Sequence, residues 1–214
     1  MAGKEIFTES VNENITRINL KFVSMYVVND NSNTICVDTG LNTEGVKEAF
    51  NKLKINPEDI EAVFLTHSDG DHTGGISVFP GAKVFISSEE EQMINGKTAR
   101  FLKLIHNKKP ECTLTFLKDG DDLNVGNISL KCISTPGHTP GSMSFLINDK
   151  YLFVGDILNI KNGRVVMDRS FLQMNKEMQK NSIKKLAKLE GIDLLLTAHT
   201  GFTNNFENAM SDWK

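Results

Sequence analysis

Four side chains that could bind a metal lie within six residues of one another. They are His67, Asp69, Asp71 and His72. Neutral imidazole nitrogens and ionised carboxylate oxygens are both common ligands of divalent metals. Asp and Gly also form solvated turns, so a polar turn is the alternative interpretation. The pattern His-x-Asp-x-Asp-His, placed directly after the apolar run 62–65, favours a metal site over that turn.

Three further candidate ligands occur later in the chain, each shortly after an apolar, β-prone run. They are His138, Asp156 and His199. In α/β folds the loops at one edge of a sheet converge on a common site. Four of the five histidines follow predicted strands, whereas His106 is predicted to be a surface residue. We expect the seven side chains to meet in one metal centre.

The elements that would position these side chains alternate between strands and helices. Two β-prone runs occupy 15–28, and further strands are predicted at 34–37, 62–65, 82–86, 114–117, 128–134, 143–147, 151–154 and 192–196. Helical spacing predicts a helix at 43–53. Helices are also predicted at 171–189, which Ser170 could cap, and at 202–213. Ser88 and Glu91 fit a capping box that opens a short helix. This alternation predicts an α/β fold.

Length and composition favour one soluble domain spanning residues 1–214. The chain is 39% hydrophobic and 24% charged, with a net charge of -3 that gives no general attraction to nucleic acid or anionic membrane. It contains no predicted signal peptide or membrane span. Cys36, Cys112 and Cys132 are far apart and predict reduced, buried thiols. We therefore expect a cytoplasmic protein with a small-molecule substrate and no nucleic-acid or membrane partner.

The basic segment 97–109 has two interpretations. It could be an amphipathic surface helix, since apolar residues alternate with its lysines and Arg100. It could instead be a lid that presents cations to an anionic substrate. The acidic run 119–122 is predicted to be a turn, because it lacks the remaining ligands of a calcium loop.

The motifs resemble those of the metallo-β-lactamase-fold hydrolases over nearly the whole chain, in the family's order and spacing. They are Val37-Asp38-Thr39-Gly40, the loop from His67 to His72, the segment 135–142, Gly155-Asp156 and Ala198-His199. The resemblance implies a four-layer αββα sandwich with its site at one edge of the sheets.

The resemblance also implies a role for each candidate residue. One metal would be held by His67, Asp69 and His138. The other would be held by Asp71, His72 and His199, and Asp156 would bridge the pair. Asp38 would orient the His/Asp loop without binding metal itself.

Asp69 departs from the family pattern His-x-His-x-Asp-His, in which a histidine stands at this place. A carboxylate still binds zinc, but it is a harder ligand than imidazole and adds negative charge. It therefore favours iron(II) or manganese more than the usual set of ligands does. We expect two divalent ions as cofactors, with zinc as the first choice and iron or manganese as alternatives.

The resemblance implies a binuclear metal-dependent hydrolase. A metal-bound hydroxide would attack a small ester, thioester, lactone or phosphoester. Asp71 would bind one metal, hold the hydroxide and help to move its proton, which makes it the predicted catalytic residue. Asn159 stands where similar small lactonases carry a tyrosine, so the motifs define no subgroup.

Two other functions are compatible with the same residues. The first is a mononuclear-iron dioxygenase acting on persulfides, because His67, Asp69 and His138 have the composition of a facial triad. The complete second set of ligands argues for two metals instead. The other is a non-catalytic metal-bearing module for binding or sensing. Metal count, metal identity and oxygen consumption distinguish the three functions.

Overall fold

The computed structural model of the chain describes residues 6–100, 106–167 and 172–214. Within these ranges, two large β-sheets carry the fold. The first sheet has the order β1-β2-β3-β4-β5-β6-β7. Its strands are β1 (Phe7–Ser10), β2 (Ile15–Leu20), β3 (Val23–Asn29), β4 (Thr34–Val37), β5 (Ile60–Phe64), β6 (Lys83–Ser87) and β7 (Leu114–Leu117). Its first three pairings are antiparallel and its last three are parallel.

The second sheet has the order β15-β14-β11-β10-β9-β8. Its strands are β8 (Asp122–Val125), β9 (Ile128–Ser134), β10 (Met143–Ile147), β11 (Tyr151–Phe153), β14 (Leu194–Thr197) and β15 (Gly201–Thr203). A separate ribbon is formed by β12 (Asn159–Lys161) and β13 (Arg164–Val166). The helices in the described ranges are α1 (Thr43–Leu53), α2 (Gly70–Thr73), α3 (Glu91–Ile94), α4 (Lys176–Leu186) and α5 (Phe206–Met210).

Three buried clusters define four layers. Side chains from both sheets, such as Phe64 and Phe145, pack together in the central cluster. The other face of the first sheet packs on α1 through Phe50. The other face of the second sheet packs on α4 and α5, with Ile183 and Phe206 in the contact. The order helix, sheet, sheet, helix confirms the predicted αββα sandwich.

Strand direction brings five strand ends to one edge of the sandwich. β4 and β5 are parallel in the first sheet, and β11 and β14 are parallel in the second. β9 runs in the same direction as β11, because each is antiparallel to β10. The backbone N–H of Met143 donates to Thr66 O across the two sheets at 2.9 Å. The segments that follow these strands therefore lie together, as the sequence predicts.

Most predicted elements are present, but several boundaries differ. The helix predicted at 171–189 occupies Lys176–Leu186, because the side chain of Asn175 accepts from Met178 N and caps its first turn. Residue 171 and the predicted cap Ser170 lie outside the described residues. The predicted capping box is wrong in position. Ser87, rather than Ser88, accepts from Glu89 N and opens a 3₁₀ turn before α3.

The closing helix predicted at 202–213 is shorter than expected. Its first residues instead form β15, in which Phe202 lies opposite Leu196 of β14. Only Phe206–Met210 is α-helical, followed by a 3₁₀ turn at Ser211–Trp213. β1, β8, β12 and β13 were not predicted, because each has only three or four residues and no fully buried run. No helix in the described part of the chain is long and apolar enough to cross a membrane.

Candidate metal centre

The end of β4 is fixed to the end of β5 by the carboxylate of Asp38. This residue has a left-handed backbone, with φ 59°. Its Oδ1 accepts from the backbone N–H of Thr66 at 2.8 Å, and the Thr66 hydroxyl also donates to it. Asp38 is 2% exposed, so its carboxylate makes these hydrogen bonds in the protein interior. It connects the end of β4 to the first residue before the His/Asp loop, and its role in orienting that loop stays a prediction from the resemblance.

The Nδ1 atoms of two histidines donate hydrogen bonds to oxygen atoms that can only accept them. His72 Nδ1 donates to Asp38 Oδ2 at 2.8 Å. His199 Nδ1 donates to the backbone oxygen of Phe22 at 2.8 Å. A donating Nδ1 leaves Nε2 as the ring atom that is free to bind a metal. Both rings are therefore set for Nε2 ligation.

The other two histidines are oriented in the same way. His138 Nδ1 lies 3.1 Å from Gln173 Oε1, which can only accept. His67 Nδ1 lies 3.0 Å from Thr66 Oγ1, and that hydroxyl gives its single proton to Asp38. Thr66 therefore accepts from His67. All four imidazoles present Nε2 to the same interior space.

Carboxylates complete three overlapping groups of ligand atoms. The first group is His67, Asp69 and His138, and the second is Asp71, His72 and His199. A third group, His67, His72 and Asp156, joins these two. Within each group the candidate ligand atoms lie within 4.8 Å of one another. Asp156 lies between the first two groups. Its Oδ1 is 3.3 Å from His72 Nε2, and its Oδ2 is 3.5 Å from His138 Nε2 and 3.0 Å from His199 Nε2.

Three atoms at the centre of this cluster are buried without a hydrogen bond to any described residue. They are His67 Nε2, His72 Nε2 and Asp156 Oδ1. Buried polar atoms in folded proteins nearly always have a bonding partner. Three ligand atoms that lack one and face the same space therefore indicate that a partner binds there. Nitrogen and oxygen donors in this mixture suit zinc, iron(II) and manganese. The residues present therefore fit divalent metal ions.

Burial and neighbouring charges shift the pKa values of the cluster. Burial lowers the pKa of His72, but the charges of Asp38 and Asp156 outweigh it and hold that pKa well above 6.5. Burial also lowers the pKa of His199, whereas the hydrogen bond to Asp156 raises it to about 9. For His138, burial dominates and lowers the pKa. Burial raises the pKa of Asp156, but His72 and His138 hold it well below its usual range.

Asp69 has partners that the sequence did not indicate. Arg100 Nη2 lies 2.7 Å from Asp69 Oδ2, and the Arg100 side chain is only 7% exposed. Asn107 Nδ2 donates to Asp69 Oδ1 at 3.0 Å. Burial raises the pKa of Asp69, but His67, His138 and Arg100 more than offset it, so this carboxylate is strongly held as an anion.

Glu90 links two of the ligand-bearing loops. It is completely buried, and its Oε2 accepts from the backbone N–H and the hydroxyl of Ser68. Its Oε1 accepts from the backbone N–H of Gly141 at 3.1 Å. Ser68 lies between His67 and Asp69, and Gly141 belongs to the loop that carries His138. Glu90 therefore fixes the distance between these loops.

A cleft of about 540 Å³ opens over the cluster. Phe22 and Leu172 line it and are 50% and 45% exposed. The ring of Phe22 also stacks on His199, with centroids 6.2 Å apart. Asp71 faces the cleft with its side chain 23% exposed, and its Oδ2 lies 3.8 Å from His199 Nε2. The cleft thus combines an apolar rim with the solvent-accessible carboxylate of Asp71.

All seven predicted ligands meet at this place, and their assignment to individual metals remains a prediction. His106 is exposed, as expected, and the three cysteines are free. Cys36 and Cys132 are buried as predicted, whereas Cys112 is only partly buried.

The segment 97–109 is described only in part. Residues 97–100 and 106–109 are not helical, so the predicted helix is wrong at both described ends of the segment. Residues 101–105 lie outside the described residues, and the interpretation as a lid stays a prediction. Arg100 points at Asp69 and not toward solvent, which charge alternation along the sequence could not reveal.

Glu90, Asn107 and Gln173 were also missed, because none belongs to a metal-ligand spacing pattern. Glu90 is adjacent to the predicted capping residue Glu91 but has a different role. Each of the three supports the site through a side-chain hydrogen bond made across more than 20 residues of sequence. No local signal in the sequence identifies such partners.

Comparison with known proteins gives consistent matches. Residues 18–199 match the family model described as the metallo-beta-lactamase superfamily. The chain is 28% identical over 193 residues to the uncharacterized protein YobT of Bacillus subtilis, covering 77% of this chain and 78% of YobT. It is also 28% identical over 192 residues to a hydroxyacylglutathione hydrolase of Francisella tularensis subsp. novicida, covering 87% of this chain. The match spans 66% of that relative's length.

Solved structures share the fold at lower sequence identity. A metallo-beta-lactamase from Cronobacter sakazakii superposes with a TM-score of 0.73 at 22% identity, covering 92% of this chain and 79% of the other. A B3 metallo-beta-lactamase described as having an active-site glutamic acid gives a TM-score of 0.74 at 22% identity. That match covers 96% of this chain and 85% of the other.

Proposed function

The chain belongs to the metallo-β-lactamase superfamily, and we propose that it is a metal-dependent hydrolase of a small ester, thioester, lactone or phosphoester. One observation carries this proposal. Four imidazoles hold their Nδ1 atoms in hydrogen bonds and present Nε2 to a space that three carboxylates also face. This arrangement suits two adjoining divalent ions, with Asp156 between them.

Divalent ions bound there would lower the pKa of a water molecule and polarise the oxygen of an electrophilic substrate. His67, Asp69 and His138 would hold one ion, and Asp71, His72 and His199 the other. Asp38 and Phe22 keep the rings of His72 and His199 in the required tautomer. Zinc is our first choice of metal, and the carboxylate of Asp69 makes iron or manganese the alternative.

Asp71 is the carboxylate best placed to move a proton. It is partly exposed in the cleft, whereas Asp156 is more deeply buried among the histidines. Its Oδ2 would accept a proton from the attacking water and return it to the leaving group. The apolar rim formed by Phe22 and Leu172 would contact the organic part of the substrate.

The test is hydrolysis by metal-loaded protein of a panel of esters, thioesters, lactones and phosphoesters. We expect at least one class to be turned over, and a chelator to abolish the activity. Asp71→Asn should lower kcat by about 10²–10⁴-fold, the usual contribution of a positioned acid–base group. Asp212→Asn, an exposed aspartate outside the cleft, is the matched control and should have no effect. Turnover that persists after complete metal removal would contradict the proposal.

Oxygen consumption separates this function from the persulfide dioxygenase. A hydrolase should work equally well without oxygen. The second group of Asp71, His72 and His199 supports the hydrolase, since a mononuclear enzyme would need only one group. Iron-dependent oxygen uptake with a persulfide would instead favour the dioxygenase.

A further inference from the structure

Arg100 is a buried cation that contacts the metal centre. Its side chain is 7% exposed, and its Nη2 lies 2.7 Å from Asp69 Oδ2. Its Nη1 donates to the backbone oxygen of Leu172 at 2.9 Å, which fixes the direction of the guanidinium. Among the described residues, Asp69 is the carboxylate with which Arg100 pairs. The charge of Arg100 is therefore balanced by a candidate metal ligand.

The oxygen that Arg100 contacts is also the oxygen that faces two candidate ligands. Asp69 Oδ2 lies 3.3 Å from His67 Nε2 and 3.1 Å from His138 Nε2. The other oxygen, Oδ1, accepts from Asn107. Oδ1 thus accepts a hydrogen bond, and Oδ2 is in ion-pair contact with Arg100 Nη2, which makes no hydrogen bond to a described residue. A metal ion in this group would have to share Oδ2 with the guanidinium or displace it.

In the described part of the chain, no arginine or lysine pairs with the carboxylate of the second group of ligands. Its histidines can release their protons when a metal ion binds, whereas Arg100 keeps its charge. Within residues 6–100, 106–167 and 172–214, the ion-pair partners of Asp71 and Asp156 are all histidines. Two cations that contact the same buried oxygen repel each other strongly, because the protein interior screens charge poorly. Removing a buried arginine from its carboxylate is also unfavourable. The two groups therefore differ in their net affinity for a cation.

We propose that Arg100 competes with the metal ion for Asp69 and makes the two metal positions unequal. The position formed by Asp71, His72 and His199 fills first. The position formed by His67, Asp69 and His138 fills only at higher metal concentration, when Arg100 is displaced from Asp69. This inference rests on the metal centre of the proposed function and adds that Arg100 regulates the metal occupancy of that centre.

Zinc titration of the metal-free chain, residues 1–214, tests this proposal, with binding followed by calorimetry and by a competing chromophoric chelator. We expect two steps in the wild type, with dissociation constants that differ by at least about tenfold. Arg100→Met removes the charge and should tighten the weaker step by about tenfold or more, with the tighter step unchanged. Arg100→Lys keeps the charge and should keep the two steps separate.

Arg164→Met is the matched control, because it removes a guanidinium whose carboxylate partner, Asp212, lies outside the cleft. It should leave both steps as in the wild type. Unchanged binding in a folded Arg100→Met would overturn the role of Arg100 while leaving the metal centre intact. Absence of both steps in every variant and in the wild type would instead overturn the proposed function.

A second experiment does not depend on whether the Arg100→Met variant folds. Nitrogen-15 NMR of the arginine Nε–H groups in the wild type can follow Arg100 during the titration, with Arg100→Lys providing the assignment. We expect the Arg100 resonance to shift during the weaker step and not during the tighter one. A resonance that responds to the first equivalent of zinc, or to neither, would contradict the competition.

Discussion

Two histidines of the metal centre, His72 and His199, hold protons in the metal-free chain that a metal ion must replace. The pKa of His199 is raised to about 9, chiefly by Asp156 acting against the effect of burial, and that of His72 lies well above 6.5. A metal binds the neutral imidazole, so ligation competes with protonation. The same carboxylates that prepare the rings for a metal therefore also attract protons in its absence.

Metal affinity should depend on pH because of these two residues. Below about pH 9 His199 is protonated in the metal-free chain, so binding at pH ~7 should release protons. The apparent affinity should rise as the pH is raised from about 7 toward about 9 and then level off. Calorimetry in buffers of different ionisation heat measures the released protons. Binding that is independent of pH over this range, without proton release, would contradict this expectation.

The folded-state pKa of His199 also affects the stability of the metal-free chain. A raised pKa stabilises the folded state fully below the unfolded value of 6.5, and this contribution is lost as the pH rises through about 9. The metal-loaded chain has no proton on His199 Nε2 and should lack that dependence. The pH profile of unfolding therefore distinguishes the two forms.

Glu90 is predicted to be a positioning residue for the loops that carry His67 and His138. In Glu90→Gln the amide can accept from only one side, so a buried donor from Ser68 or Gly141 loses its partner. We expect the free energy of unfolding to fall by about 1–3 kcal/mol. Urea unfolding measures it, and metal binding should weaken as well.

The matched control for Glu90 is its neighbour Glu89, which is not buried. Glu89→Gln should change the stability by less than about 0.5 kcal/mol. Equal stability of the two variants would show that the buried carboxylate does not hold the loops.

Phe22 is predicted to contact the substrate. Its ring is half exposed at the rim of the cleft, while its backbone oxygen, which an alanine keeps, accepts from His199. Phe22→Ala should raise KM by about tenfold, since burying such a ring contributes about 1.5–3 kcal/mol. Metal content should stay unchanged. Phe116→Ala removes a similarly exposed ring outside the cleft, and an equal rise in KM there would refute the assignment.

Among the elements, the end of β11 shows how closely the backbone is fitted to the site. Gly155 lies between this strand and Asp156 and has φ +53°. A Cβ at this place would lie 2.6 Å from Thr66 Oγ1, the hydroxyl that connects Asp38 with His67. The position therefore requires glycine both for its backbone angle and for space.

Gly155→Ala should destabilise the chain and disturb metal binding together. We expect a loss of about 2–4 kcal/mol, from the left-handed backbone and the steric overlap. Gly81→Ala is the control, because a Cβ there would meet no atom within 4 Å and its backbone has no positive φ. Thermal unfolding and zinc titration of both variants measure the effects. Full metal affinity in Gly155→Ala would contradict the fit described for this strand end.

The elements that could be predicted from the sequence are those with strong local signals. The helix at Thr43–Leu53 has an apolar face and an asparagine cap at Asn42, and its predicted and observed bounds agree. The buried strands and the metal-ligand loops are also in place. β15 was missed because two of its three residues, Phe202 and Thr203, fall within the predicted closing helix, and only pairing with β14 reveals the strand. Arg100 and Glu90 act through contacts distant in sequence, which periodicity and spacing do not encode.

At the scale of the whole molecule, the metal centre joins the two sheets. Four of its candidate ligands follow β5 of the first sheet, and the other three follow β9, β11 and β14 of the second. Metal binding should therefore stabilise the packing of one sheet on the other. Any ligand that binds only the folded state raises stability by mass action, by about 2.7 kcal/mol at a hundredfold excess over Kd.

The central claim is that this cluster binds divalent metal, and metal content per chain tests it most directly. We would measure it by elemental analysis at equilibrium with excess zinc, for the wild type, His72→Ala and His106→Ala. We expect two ions in the wild type and in His106→Ala, whose histidine is exposed outside the centre. We expect fewer in His72→Ala. No metal in the wild type, or equal content in all three proteins, would contradict the claim.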